Sequence, residues 1–222
     1  MGLRIDLGCG GHKKEGTIGI DLQAGQGVDH VLDLTTAPLP FADGSVEYVH
    51  SSHFLEHLRD PTALFAEMSR VSCDGARLEL WTPYAWENSA TIIDHKLFFN
   101  EDHYLHICLW YVDFWRPTLN AHWHLREIVY VVEPRTLVDL ERFGVGSLDF
   151  AIRHLKGIVK EFGVFIDVSK PGEAAKSPAP QEARRSFATS RGGERHRLPP
   201  IVHPVEQPSD ADLRRAISVL YR

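Results

Sequence analysis

Hydrophobic positions in the first third of the chain fall into short runs that alternate with polar or helix-patterned sequence. The runs are rich in aliphatic and β-branched residues and recur through residue 82. This rhythm predicts an α/β fold, in which buried parallel strands are joined by crossover connections. The predicted strands are Leu3–Leu7, Ile18–Leu22, Val28–Leu32, Val46–His50 and Arg77–Thr82.

The connections between these strands differ in length. Pro61 follows Asp60, a favourable N-cap residue, and opens a helical pattern. The apolar side chains on one face of this helix are Leu64, Phe65, Met68 and Val71. Residues 8–16 and 22–27 are shorter than the roughly 10–12 residues that a crossover with its helix requires. We therefore expect the first helices to be reduced to turns, with one sheet face thinly covered.

Residues 84–125 interrupt the rhythm, since they hold ten of the chain's 22 aromatic residues and four of its five tryptophans. Beyond them, residues 126–133 predict a sixth strand and Leu148–Phe162 an amphipathic helix. Gly163–Val168 has the pattern of a seventh strand.

The composition changes after the seventh predicted strand. Proline, alanine, serine, glycine and arginine dominate residues 169–208, which predicts a disordered linker. Ser209 is well placed to cap a short C-terminal helix over residues 209–222.

Composition narrows the function classes. The net charge is −6, so the overall positive charge of a nucleic-acid-binding domain is missing. Cys9, Cys73 and Cys108 are far apart, which favours a reducing compartment over a disulfide framework. The sequence shows no apolar run of about 18 residues and no signal-peptide pattern. We therefore expect a cytoplasmic protein with no membrane association, and nucleic acid is not favoured as a partner.

The strongest functional signal is Arg-Ile-Asp-Leu-Gly-Cys-Gly at residues 4–10. A strand that ends in a glycine-rich turn is typical of a nucleotide-binding loop, because Gly8 and Gly10 leave the backbone open to a ligand. Asp21 ends the next strand, where it can accept hydrogen bonds from ribose hydroxyls, although a helix N-cap is the alternative. The loop departs from the dinucleotide fingerprint, since the third glycine is missing and Asp6 precedes the first glycine by two residues.

Asp-Leu-Gly-Cys-Gly resembles motif I of class I S-adenosylmethionine-dependent methyltransferases, in particular methyltransferase type 11-like domains. Five further segments resemble that family in the expected order and extend the likeness over about residues 3–83. They are Asp33-Leu34 after the third strand, residues 39–49 (LPF-x-DGS-x-D-x-V), residues 51–58 (H-x-LEHL), residues 67–76 (E-x-x-RVLKPGG) and Pro83 after the fifth strand.

The resemblance implies S-adenosylmethionine as cofactor and a Rossmann-like sheet of seven strands in the order 3-2-1-4-5-7-6. This methyltransferase domain would span residues 1–168, with shortened first helices and an aromatic-rich insertion after strand five. The cofactor's methionine part would lie on the glycine loop, its ribose at Asp21 and its adenine near Asp33 and Leu34, although turn formation is the alternative for Asp33. The predicted cofactor-binding residues are Asp6, Gly8, Cys9, Gly10, Asp21, Leu22, Asp33, Leu34 and Ser51.

Histidines near the strand ends are the candidate bases. The sulfonium is already a good leaving group, so the protein must align a nucleophile and, for a hydroxyl, remove its proton. His53 follows strand four at the edge where such sheets bind ligands, and a structural role is its alternative. Asp94 and His95 lie in a segment similar to an Asp-x-x-His/Phe-Phe stretch of related methyltransferases, which makes them an acceptor contact and a candidate base. Glu56 and His57 are expected to fix the helix.

Residues 84–125 are the predicted acceptor lid. The sequence begins at the first predicted strand, so we expect no preceding helix over the acceptor, and the insertion leaves the sheet at the cofactor's edge. Its rings would attract a sulfonium through cation–π contacts, although core packing is the alternative. His103, His106, His122 and His124 have no acid or cysteine at zinc-ligand spacing, so no metal site is predicted.

The sequence therefore predicts methyl transfer from S-adenosylmethionine to a small-molecule acceptor, with an oxygen nucleophile on a sugar, glycan precursor or secondary metabolite favoured. One alternative is a non-catalytic methyltransferase-like module that binds a protein partner. The other is a protein or nucleic-acid methyltransferase that uses the arginines of residues 184–197 as a tether. Residues 51–54 are Ser-Ser-His-Phe rather than Asn/Asp-Pro-Pro-Tyr/Phe, which counts against adenine or glutamine N-methylation.

Overall fold

The computed structural model describes residues 2–171, 183–200 and 209–220. Its strands are β1 (Leu3–Leu7), β2 (Ile18–Asp21), β3 (His30–Val31), β4 (Val46–Ser52), β5 (Ser72–Pro83), β6 (His122–Val131), β7 (Glu161–Ser169), β8 (Arg184–Ala188) and β9 (His196–Leu198). The helices are α1 (Thr62–Val71), α2 (Glu101–Leu105), α3 (Val112–Leu119), α4 (Pro134–Arg142), α5 (Leu148–His154) and α6 (Asp210–Leu220). Single helical turns lie at Leu55–His57 and Asn88–Thr91, and a π-helical turn lies at His106–Trp110.

All nine strands form one sheet in the order β3-β2-β1-β4-β5-β7-β6-β8-β9. The first seven positions confirm the order implied by the family resemblance, and the sheet has nine strands rather than seven because β8 and β9 extend it. β1 to β5 pair in parallel, and β7 is antiparallel to β5 and β6. Leu7, Asp21, Ser52 and Pro83 therefore end their strands at one side of the sheet, which we call the carboxyl edge.

The helix predicted between β4 and β5 is present as α1. Its backbone begins at Thr62, whose N–H donates to the Asp60 carboxylate at 2.9 Å. The four apolar side chains predicted on one face are all buried in the main core. This core fills one side of the sheet, where Val49, Leu78 and Leu80 point from β4 and β5.

The opposite side of the sheet, which we call the open face, confirms the expectation of shortened connections. Residues 8–17 and 22–29 form turns without a helix. The open face carries polar groups over β1, β4 and β5, and the Glu79 carboxylate accepts hydrogen bonds from Lys14 and Tyr48 at 2.7 and 2.5 Å. Burial alone raises the pKa of Glu79, but hydrogen bonds from Lys14, Tyr48 and Trp81 lower it to about 2. A charged network thus occupies the region beneath the shortened connection.

The aromatic insertion is divided between core and surface. Tyr104, Leu105 and Leu119 are buried, and α3 packs against α1. The predicted lid over 84–125 is therefore only partly at the carboxyl edge: Tyr104, Leu105 and Leu119 pack into the core, residues 84–100 follow Pro83 at the edge, and Tyr111 and Phe114 are exposed. Core packing, the alternative for these aromatic residues, accounts for the larger part.

Two boundaries in the second half differ from the prediction. The helix predicted over Leu148–Phe162 ends at His154, since Leu155 adopts extended backbone angles. Residues from Glu161 onward alternate with period two, and Phe162, Val164 and Ile166 point into the core as part of β7. The apolar residues of this run fit the helical period of 3.6 as well as the strand period of two, and the pattern predicts one helix. The structure divides the run between α5 and β7.

The prediction of a disordered linker over 169–208 is wrong for residues 183–200. β8 pairs in parallel with β6, and β9 pairs antiparallel with β8. Arg185 and Phe187 alternate with Ser186 and Ala188, so polar composition concealed a strand with two packed faces. Residues 172–182 and 201–208 lie outside the described residues. α6 is present as predicted, and the Ser209 hydroxyl accepts a hydrogen bond from the Asp212 N–H at 3.2 Å.

Among the described residues, every helix is too short or too polar to cross a lipid bilayer.

Candidate functional site

The glycine loop follows β1 at the carboxyl edge and has the left-handed backbone that favours glycine. Gly8 and Gly10 have φ angles of 64° and 51°. A side chain at Gly10 or Gly11 would meet no atom within 4 Å, so this part of the backbone is open to a ligand. A Cβ at Gly8 would lie 2.2 Å from the Phe54 ring, so that ring covers the first glycine. The open surface thus begins at Gly10, two residues later than predicted.

Asp6 fixes the shape of this loop from beneath. Its side chain is 2% exposed, and its two oxygens accept hydrogen bonds from the Lys14 N–H at 2.8 Å and from His50 Nδ1 at 2.7 Å. Both oxygens are therefore used inside the protein. Asp6, predicted to contact the cofactor, instead holds the loop in place through these hydrogen bonds.

Asp21 lies beside the open part of the loop. One carboxylate oxygen accepts a hydrogen bond from the Gly10 N–H at 2.9 Å, and the other accepts from the Gln23 N–H at 3.1 Å. Each carboxylate oxygen has a second lone pair, so further hydroxyl donors can be accommodated. Leu22 and Val31 are 62% and 59% exposed at the adjoining strand ends, which gives this corner an apolar surface.

The other predicted cofactor residues have varied environments. Asp33 accepts hydrogen bonds from the Thr35 N–H and hydroxyl at 2.9 and 2.6 Å, which lower its pKa and match the turn-forming alternative. The Leu34 side chain is buried in the core. Ser51 is fully buried and its hydroxyl donates to the Leu7 carbonyl at 3.2 Å, so its side chain is not open to a ligand. Burial, followed by the charge of Asp6, raises the pKa of Cys9 to about 11.

We expect Asp21→Ala to weaken S-adenosylmethionine binding by about 1–3 kcal/mol, or roughly 5–150-fold, the range for lost hydrogen bonds to a charged group. Calorimetric titration of the cofactor measures the change. Glu15→Ala is the control, because Glu15 is an exposed acid in the same region of the chain. Equal affinities of the two variants would rule out the ribose assignment.

His53 occupies an ion network directly after β4. Its backbone has a φ of 52°, unusual for a residue other than glycine, and its N–H donates to the Trp81 carbonyl at 2.9 Å. Its Nε2 lies 2.7 Å from Glu161, and its Nδ1 lies 3.3 Å from Glu56. The hydrogen bond to Glu161, followed by the nearby Glu56 carboxylate, raises the pKa of His53 to about 9. Both ring nitrogens therefore face a carboxylate.

Arg191 completes this network from the β8–β9 connection. Its guanidinium forms two hydrogen bonds to Glu161, at 2.8 and 2.5 Å, and a third to the Ser52 hydroxyl at 2.7 Å. It also lies 5.0 Å from the centre of the Trp81 ring. Burial alone raises the pKa of Glu161, but the hydrogen bonds from Arg191 and His53 lower it to about 2. Sequence reasoning missed Glu161 and Arg191 at the site.

The imidazole of His53 is expected to titrate near pH 9 in a pH series of NMR spectra. Because its folded pKa lies above the ordinary value of 6.5, its contribution to stability is complete below about pH 6.5 and is lost as the pH rises through 9. Glu161→Gln removes the nearer carboxylate and should move the midpoint toward 6.5. A wild-type midpoint near 6.5 would show that the network does not form in solution.

A second cluster lies one turn further along the chain. Glu56, His57 and His95 each place one donor atom within 4.8 Å of the others. His57 and His95 pack edge to face, with ring centres 4.9 Å apart. Asp94 and His95, the predicted acceptor contact and candidate base, have separate partners: Asp94 lies 3.4 Å from His57 Nδ1, and His95 Nδ1 donates to the Ala90 carbonyl at 3.2 Å.

The four histidines for which the sequence predicts no metal site make contacts of other kinds. His122 and His124 are neighbours on β6, with ring centres 4.1 Å apart, at the end of the sheet opposite the glycine loop. Burial, followed by the charge of His124, lowers the pKa of His122 to about 4. His103 caps α2 through Asn100, and His106 accepts a hydrogen bond from Trp115. These residues stabilise local structure.

Comparison with known proteins agrees with this architecture. Residues 17–80 match the family model described as a methyltransferase domain. An S-adenosylmethionine-dependent methyltransferase from Archaeoglobus fulgidus is 18% identical, with a TM-score of 0.52 over 75% of this chain and 86% of that chain. A possible histamine N-methyltransferase from Thermotoga maritima is 14% identical, with a TM-score of 0.49 over 77% and 83%. No curated protein matches the sequence. The first of these structures has the same fold as this chain.

Proposed function

We propose that this chain, which carries a class I S-adenosylmethionine-dependent methyltransferase domain, methylates a hydroxyl group of a small molecule at its carboxyl edge. The observation that carries the proposal is the position of the cluster of Glu56, His57 and His95. It begins two residues after Phe54, whose ring packs on Gly8 of the glycine loop. Titratable groups suited to handling a hydroxyl proton thus adjoin the loop that fits the cofactor.

The residues at the loop fit S-adenosylmethionine. Gly10 and Gly11 present open backbone, Asp21 offers lone pairs for ribose hydroxyls, and Leu22 and Val31 provide exposed apolar surface for a ring. When bound, the cofactor supplies a methyl group on a sulfonium that is its own leaving group. The chain's remaining task is to hold the acceptor in line and to manage its proton.

Of the two histidines predicted as catalytic, His95 suits this task better. Both nitrogens of His53 face carboxylates, so no lone pair is left for an acceptor. His95 donates through Nδ1 to a backbone carbonyl, which leaves the lone pair of a neutral ring on Nε2. We therefore place His95 against the acceptor hydroxyl, with Asp94 acting on His57 rather than on the acceptor.

The surface of residues 84–100 favours a small acceptor with a ring. Trp86, Ile92 and Phe98 are each about half exposed beside the carboxyl edge. Aromatic side chains of this kind pack on the faces of sugars and of other rings. A hydroxylated ring compound therefore matches both the apolar surface and the histidine cluster.

The test is a methyl-transfer assay with methyl-labelled S-adenosylmethionine and a panel of phenols, catechols, sugars and nucleotide sugars. We expect formation of S-adenosylhomocysteine with at least one hydroxyl acceptor, and none without acceptor. Label transferred to protein or RNA in a cell extract, with no transfer to the panel, would favour a macromolecular substrate. Cofactor binding without turnover on any substrate would favour the non-catalytic alternative.

A further inference from the structure

The donor atoms of Glu56, His57 and His95 come from two segments that the backbone holds together. The Glu56 carbonyl accepts hydrogen bonds from the Lys96 and Leu97 N–H groups at 2.7 and 3.1 Å. The segment after β5 is therefore fixed against the helical turn after β4. Because the backbone sets this contact, the convergence of the three side chains does not depend on flexible ends.

Both histidines have a second contact of the kind that orients metal ligands. A histidine that binds a metal through one nitrogen generally donates its other N–H to a carbonyl or carboxylate, which fixes the ring. His95 Nδ1 has the Ala90 carbonyl at 3.2 Å, and His57 Nδ1 has the Asp94 carboxylate at 3.4 Å. The hydrogen bond of His95 Nδ1 to a carbonyl leaves the lone pair of its neutral ring on Nε2.

The Glu56 carboxylate is buried, and it shares the charge of His53 with a second carboxylate. It is 1% exposed, and among the described residues neither of its oxygens accepts a hydrogen bond. The nearest described cation is His53, whose Nδ1 lies 3.3 Å away and is shared with a network centred on Glu161. A buried carboxylate that lacks hydrogen bonds is costly unless a further cation compensates its charge.

We propose that Glu56, His57 and His95 bind a divalent transition-metal cation, with Zn²⁺ the best match. One carboxylate and two imidazoles form a ligand set typical of catalytic zinc sites, whereas Mg²⁺ prefers oxygen ligands. Tetrahedral zinc with bonds of about 2.0–2.2 Å places its ligand atoms about 3.3–3.6 Å from each other. The donor atoms here lie within 4.8 Å of one another, so the side chains must rotate toward one another to complete the site.

The role of the cation rests on the proposed function. Three protein ligands leave a tetrahedral zinc with one open position, which the acceptor hydroxyl can occupy. A new zinc–oxygen bond makes that hydroxyl more acidic, and its proton passes to water. The oxygen then takes the methyl group, and the sulfonium becomes the neutral thioether of S-adenosylhomocysteine. In this scheme the cation held by His95, rather than the free Nε2 of His95, acts on the acceptor hydroxyl, and the chelation test below separates these two roles.

The binding test is calorimetric titration of the full, chelator-treated chain with zinc chloride. We expect one zinc per chain, and affinity losses of about 100-fold or more for His95→Ala and for Glu56→Gln. His95 is partly exposed on a loop, so its variant should fold even if the buried Glu56 variant does not. His122→Gln is the control, because its neighbouring histidine pair lies at the other end of the sheet. Unchanged affinity in His95→Ala, or loss only in His122→Gln, would overturn the proposal.

Methyl transfer measured on the same samples distinguishes zinc binding at this cluster from a part for zinc in the reaction. Turnover that falls on chelation and returns with zinc supports both the site and the proposed function. Full turnover by the chelated chain overturns the catalytic cation while the proposed function stands. One zinc bound through these residues, without turnover on any acceptor, supports the site and argues against the proposed function.

Discussion

His95→Ala is expected to lower methyl transfer by about 10²–10⁴-fold, the range for loss of a group that manages a proton in the transition state. The same change should leave S-adenosylmethionine affinity nearly unaltered, because His95 contacts Ala90 and His57 rather than the glycine loop. Turnover is measured as S-adenosylhomocysteine formed with an active acceptor, and affinity by calorimetry. The expected separation of turnover from binding distinguishes a role in the reaction from a general loss of structure.

Two further histidine variants serve as comparisons for His95→Ala. His122→Ala removes a ring far from the carboxyl edge and should retain full turnover. His53→Ala should reduce turnover less than His95→Ala, because both nitrogens of His53 are already paired with carboxylates. The opposite ranking of His53 and His95 would place the proton-handling group at the end of β4.

Arg185→Ala is expected to destabilise the fold toward the lower end of about 3–5 kcal/mol, the usual cost of removing one partner of a buried ion pair. The Arg185 guanidinium is 3% exposed and donates to Asp149 at 2.6 Å and to the Pro199 carbonyl at 3.1 Å. Asp149 retains Arg153 at 2.5 Å, which limits the loss. Urea unfolding measures the difference in the free energy of unfolding.

Arg184→Ala is the matched control for this change. Arg184 is adjacent on β8 and exposed, and an exposed substitution typically shifts stability by less than about 0.5 kcal/mol. A large difference between the two variants is expected only if β8 is packed as a strand. Similar small effects would mean that residues 183–200 leave the sheet in solution.

The first 83 residues could be predicted because their signals are local. A strand, a glycine turn and an acid follow one another within 21 residues, and the strand order follows from the family resemblance. The carboxyl edge was located by the same reasoning, and Gly10 and Asp21 are indeed neighbours there. The alternation along β4 also contained an unused signal: Val49 and Ser51 share the core side, which removes the Ser51 side chain from the cofactor.

The parts that escaped prediction depend on contacts between distant residues. Glu161 and Arg191 lie 108 and 139 positions beyond the groups that they contact, His53 and Ser52. No local hydrophobic periodicity or sequence motif indicates such a contact. Arg185 escaped for a related reason, because an arginine in a polar, proline-rich stretch is typical of solvent exposure. Its burial is favourable because of distant partners, Asp149 on α5 and the Pro199 carbonyl after β9.

The β8–β9 pair also determines which strand edges of the sheet are exposed to other molecules. In the described part of the chain, the outermost strands of the sheet are β3, with two residues, and β9, with three, so neither provides a long row of free backbone groups. β6 is ten residues long and includes the run Ile128–Val131. An unpaired strand of that length and composition is a template for intermolecular pairing and aggregation. The arginine-rich segment that resembles a loose tail therefore protects solubility, and variants that detach it should form insoluble assemblies before they lose their remaining fold.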